Sequence, residues 1–161
     1  MKPNLSKTTE WNKYFANTLD PDARSIEKLH TGARAFLEYY TWCGHITEEY
    51  VGLIYPGIVG VLLFRFVPTR PEVDEWVWVI TGDLPPAYIT CEDSPNPATA
   101  LDAYIGAMEE WVEAAEQGAP TGNLIPVNVE PSKENAARLK TRLSFLDREI
   151  LSRYAEDLKA S

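Results

Sequence analysis

The chain is short of the residues from which catalytic and metal sites are most often built. Its 161 residues include two cysteines, two histidines and two methionines. Cys43 and Cys91 are too few for a disulfide framework in a chain of this length, so they read as two reduced, buried thiols of a cytosolic protein. No Gly-x-Ser-x-Gly, His-Glu-x-x-His or Cys–His signature accompanies His30 or His45. Gly57-Ile58-Val59-Gly60 and Thr81-Gly82-Asp83 lack the glycine density and the following lysine of a phosphate loop. Cys43, His45, Glu48, Glu49, Cys91, Glu92 and Asp93 are all metal donors, but their spacing matches no zinc pattern, so neither a metal nor another cofactor is expected. The first residues hold no apolar core of a secretory signal. The longest apolar run, Val51 to Phe64, is interrupted by Pro56 and three glycines and falls short of the roughly 20 residues of a spanning helix. A soluble cytoplasmic protein without a membrane partner is predicted.

The most informative absence is of positive charge. Residues 71–132 contain no Lys, Arg or His, yet they carry 12 acidic side chains. Residues 1–70 have a net charge of +1 and residues 133–161 a net charge of +2, against −9 for the whole chain. A field of this sign repels nucleic acid and anionic lipid and draws in a basic protein surface. The alternative is that the basic last helix folds against the acidic segment and neutralises it, the surplus charge serving solubility.

Apolar residues make up 45% of the chain, enough for one globular domain spanning residues 1–161. Thr8 or Thr9 is placed to cap a short helix through about Thr18, and Asp20-Pro21-Asp22 breaks the chain before a second helix, from about Pro21 to Trp42. Gly44 lies where a left-handed C-cap would fall. Strands are predicted at Tyr50–Ile54, Ile58–Val67, Glu75–Thr81 and Ala87–Cys91, with a further short strand at Ile125–Val129. The second of these is apolar on both faces, as in a central strand covered on both sides by its own chain or by a partner. Asn96-Pro97 opens a long helix that Gly118 ends, and Ser132 caps a last helix with Leu139, Leu143, Leu146, Ile150, Tyr154 and Leu158 along one side. The fold class is therefore α+β, an antiparallel sheet of about four strands flanked by two N-terminal and two C-terminal helices.

On the helix opened by Asn96, Asp102, Glu109, Glu113 and Glu116 fall within about 60° of one another. Glu109 and Glu113 repel at i,i+4, and the stripe runs toward the helix C-terminus, where the macrodipole disfavours anions. A cationic partner would remove that penalty. With Glu92 and Asp93 as neighbours, these four are the candidate binding residues, no catalytic residue being assigned. Arg65, a lone cation in the two-faced apolar strand, calls for a carboxylate from Glu75 or Asp83, unless it faces an open groove and binds an anion.

The segment WVWVITGDLPPAYI, residues 76–89, resembles segments of bacterial immunity-type proteins and of related uncharacterised small acidic bacterial proteins, in which a strand ends in a Gly-Asp-Leu-Pro turn. The run IPVNVEPSKENAARLKTRLSFLDREIL, residues 125–151, is similar in the same way. The resemblance implies a protein without catalysis of its own that binds and blocks a basic toxin, and it transfers no site residues. Sequence and resemblance together favour a non-catalytic binding protein for a basic protein partner. A homo-oligomeric assembly protein is the second reading. An enzyme of unknown class is the third, and it requires a deep pocket lined by Asp83, Glu92, His45 or Arg65.

Overall fold

The computed structural model describes residues 2–19 and 21–159; Asp20, part of the predicted chain break, lies outside the described residues. The elements run β1 (Thr9–Glu10), α1 (Trp11–Ala16), α2 (Ala23–Glu38), β2 (Cys43–Tyr55), β3 (Val59–Pro68), β4 (Trp76–Gly82), β5 (Ala87–Thr90), α3 (Pro97–Gln117), α4 (Lys133–Phe145) and α5 (Ala155–Leu158). All strands pair antiparallel in chain order, giving a five-stranded meander. The predicted α+β class holds, with one strand more than expected.

That extra strand comes from a corrected helix start. Thr8 and Thr9 do not cap α1. Thr9 pairs with Val51 of β2, and the Glu10 carboxylate accepts from the Asn12 amide as the cap. A second correction concerns Gly44, which is no helix C-cap. It lies within β2, where a Cβ would collide with the carbonyl of Val67 on β3. The strand expected at Ile125–Val129 is irregular chain, with Ile125 and Val127 packed against the core. The last helix is not continuous either. After Phe145 it widens into a π turn over Leu146–Ile150 and tightens into a 3-10 turn over Leu151–Tyr154. This change of phase buries Leu151 beside Leu146 and Ile150 and brings the Tyr154 hydroxyl to 2.6 Å from that of Tyr55.

The two apolar faces of β3 are both covered by the same chain. Leu62, Phe64 and Phe66 pack with Ala33 and Leu37 of α2. Val59, Val61 and Leu63 pack with Leu101, Tyr104 and Met108 of α3 and with Leu139 and Leu143 of α4. The sheet is thus the middle of three layers, N-terminal helices on one face and C-terminal helices on the other. Ile58 and Val67, at the ends of β3, are the members of its apolar pattern that remain exposed.

The position of α3 is fixed at its start. The Asn96 side chain accepts from the Thr99 amide at 2.9 Å, and the Thr99 hydroxyl completes a capping box. The Asn96 amide group in turn donates to the Asp157 carbonyl of α5. Pro97 lies against β2 at Gly52, where any Cβ would stand 2.7 Å from its Cγ. Just upstream, the buried Trp78 indole of β4 donates to the Ser94 carbonyl at 2.7 Å.

Candidate functional site

The capped start of α3 and its left-handed end at Gly118 hold one face of the helix inward, from Leu101 to Ala115. Its opposite side is solvent-exposed and carries Asp102, Glu109, Glu110, Glu113 and Glu116. The charges are arranged against the helix dipole, with no acidic residue in the first turn and no basic residue in the last. Among the described residues no cation pairs with Asp102, Glu109, Glu110 or Glu113. Glu116 meets Lys140 of α4 at 3.9 Å, a contact between two exposed side chains that contributes little.

The neutralising role foreseen for the basic C-terminal segment reaches the strip on α3 through that one contact, and reaches the rest of the acidic segment through Arg142 on Asp83. Arg138 pairs with Glu134, Arg142 with Asp83, Arg148 with Glu149 and Lys159 with Glu156, while Arg153 lies over the Tyr55 ring.

Gly106 occupies the same face, four residues after Asp102 and three before Glu109, and a Cβ there would meet nothing within 4 Å. Neither packing nor backbone conformation demands glycine. Gly106→Ala is therefore expected to raise stability by about 0.5–1 kcal/mol, measured by denaturant unfolding. An unchanged or lower stability would show that the position is constrained.

The six candidate residues do not form one patch. Glu92 lines a cleft of about 340 Å³ together with Trp42, Phe66 and Tyr88. Those aromatic side chains belong to the α2 face of the sheet, the face opposite α3. Asp93 is exposed in the connection between β5 and α3. The structure therefore separates Glu92 from the stripe on α3, because β5 ends on one side of the sheet before the chain crosses to the other.

The remaining candidates are taken up by the fold. Consecutive residues on a strand point to opposite faces, so Glu48 and Glu49 of β2 go to different partners. Glu48 accepts from Arg65 at 2.7 Å and Glu75 meets the same guanidinium at 2.8 Å, with Arg65 lying over the Trp76 ring. Arg65 is therefore matched by Glu75, as one expectation had it, and not by Asp83, which goes to Arg142. Glu49 receives His30 Nε2 at 2.8 Å and Arg34 at 2.7 Å, and the His30 ring stacks on Trp11 of α1. Among the described residues no three His, Cys, Asp or Glu side chains gather as a metal site. Both cysteines are free thiols, and burial pushes Cys43 up to about 11 and Cys91 up to about 12. Arg65, Asp83 and Glu92 line different clefts rather than one deep pocket.

The Glu49 cluster has a consequence for acid stability. Burial raises the carboxyl, but the hydrogen bonds from His30 and Arg34 outweigh it, leaving Glu49 below the ordinary carboxylate range. A depressed carboxylate stabilises the fold above its unfolded value, about 4.3, and that stabilisation is lost as pH falls through the folded value. Unfolding free energy should therefore drop below about pH 4, and Glu49→Gln should flatten that drop while costing about 1–3 kcal/mol at neutral pH. An acid limb of the same slope in the variant would remove Glu49 from this role.

No family model matches the chain, and no curated protein or solved structure is significantly similar to it. Among the described residues no helix is long and apolar enough to cross a membrane.

Proposed function

We propose that the chain is a non-catalytic binding protein of the cytoplasm that uses the exposed face of α3 to engage a basic protein, in the manner of an immunity or inhibitor protein. One observation carries the reading. Three locally unfavourable choices coincide on a single solvent-facing strip: carboxylates repelling at i,i+4, anions toward the negative end of the helix dipole, and an unforced glycine in mid-helix. Both ends of α3 follow the backbone rules, with a capping box, proline at its start and glycine at its end. Conflicts with local preference that serve no packing purpose concentrate where a surface is kept for a partner. Lys or Arg side chains on that partner would relieve the repulsion through charge-assisted hydrogen bonds, and Gly106 would let its backbone approach closely.

The test is to immobilise the protein, offer it the soluble extract of its native host at low salt, and elute with a salt gradient. The expected result is a basic protein that is released by salt and is not retained by a protein carrying Asp102→Asn, Glu109→Gln, Glu113→Gln and Glu116→Gln. Retention indifferent to both salt and these substitutions would overturn the reading.

A further inference from the structure

On the other side of the sheet, six aromatic side chains form one contiguous cluster where α2 ends. Tyr40 stacks on Trp42 at 5.0 Å between centroids, and both meet Tyr88 of β5 edge-on, at 5.2 and 5.1 Å. Phe36 and Tyr39 extend the cluster from α2, and Phe66 extends it from β3. Trp42 and Tyr88 are only partly buried, and they border the cleft of about 340 Å³ whose rim carries Glu72 and Glu92. This volume is at the small end of ligand sites, the size for one side chain. Among the described residues no Lys, Arg or His lines the cleft, and neither Glu72 nor Glu92 has an ion-pair partner. The last turn of α2, beside the cluster, also lacks a basic residue.

The chain shows what such a combination holds. Across Trp76, which borders both clefts, Arg65 lies 5.3 Å from the ring centroid with Glu48 and Glu75 on its guanidinium. The neighbouring cleft repeats these parts, aromatic walls with the carboxylates of Glu72, Asp74 and Glu92, and among the described residues no Lys, Arg or His lines it. We infer that this cleft between Trp42, Tyr88, Glu72 and Glu92 receives an arginine side chain presented by a protein partner. A guanidinium stacks on aromatic faces, sheds its weak hydration readily and takes carboxylates at its edges, whereas an ammonium is held more tightly by water. This site lies on the face of the sheet opposite α3 and does not depend on the acidic strip.

The probe is a capped Gly-Arg-Gly peptide, with its citrulline counterpart as a neutral isostere, followed through the Trp42 indole N–H and the Tyr88 amide in proton–nitrogen spectra. The arginine peptide should shift both signals saturably at millimolar concentration, and the citrulline peptide should bind at least fivefold more weakly. Glu72→Gln with Glu92→Gln, both exposed and so harmless to folding, should abolish the preference for arginine. Trp42→Leu should abolish the saturable shift of the Tyr88 amide. The variant with all four α3 carboxylates neutralised should respond like the parent, which separates this site from the function proposed above. No saturable shift, equal response to citrulline, or shifts confined to α3 would overturn the assignment.

Discussion

Trp78→Ala should lower the unfolding free energy by about 3–5 kcal/mol, much of the 5–15 kcal/mol available to a domain of this size. The side chain has no exposure and sits where β4, α3 and the connection between β5 and α3 converge. Its removal leaves a cavity and also strips the Ser94 carbonyl of its donor inside a buried segment. Trp78→Phe separates the two effects, because it keeps most of the volume while losing the N–H. It should cost about 1–3 kcal/mol for the orphaned carbonyl. Chemical denaturation of both variants checks the order. If Phe proved as damaging as Ala, the lost hydrogen bond rather than the lost volume would set the cost. If Ala were nearly neutral, the packing described for this layer would be wrong.

Reversing the charge of the α3 face should have the largest effect on association. Replacement of Asp102, Glu109, Glu113 and Glu116 by lysine turns an attractive field into a repulsive one, and the on-rate for the basic partner should fall about 10- to 1,000-fold at low salt. At physiological ionic strength, where the screening length is about 8 Å, the difference between parent and variant should narrow. Folding should be spared. All four side chains are exposed, the repulsion between positions 109 and 113 passes from two carboxylates to two ammonium groups, and the substitutions put cations toward the C-terminal end of the helix. Glu116 alone gives up a partner, Lys140. Surface plasmon resonance across a salt series measures the rates. Equal on-rates for the two proteins would place the contact elsewhere.

How much of the fold is legible in the sequence depends on the range of the forces involved. Both ends of α3 are readable, since Asn96-Pro97 and Gly118 act on their own backbone and nothing distant overrides them. The two-faced burial of β3 follows from its nearly unbroken apolar run. The first part of β2 is not legible, because irregularities between Cys43 and Ile46, Ile46 and Glu48, and Val51 and Leu53 break the period of two that marks a strand. A π turn hides the end of α4 in the same way, by shifting the phase of a pattern that reads as one helix.

The site divides along the same line. The acidic strip is visible as spacing on one helix. Whether it is neutralised is not, because Arg142 reaches Asp83 and Lys140 reaches Glu116 only once α4 is docked. The aromatic cleft is invisible in the sequence because Trp42 and Tyr88 meet only once the successive pairings of β2 with β3, β3 with β4 and β4 with β5 have formed the sheet. The run Tyr39-Tyr40-Thr41-Trp42 is the available signal, and it names one wall without the other.

Carbodiimide labelling of carboxylates, mapped by mass spectrometry with and without the bound partner, reads the contact surface itself. Asp102, Glu109 and Glu113 should be labelled in the free protein and protected in the complex, while Glu134 on α4 stays reactive in both. Full labelling of the α3 carboxylates in the complex would contradict a binding role for that face.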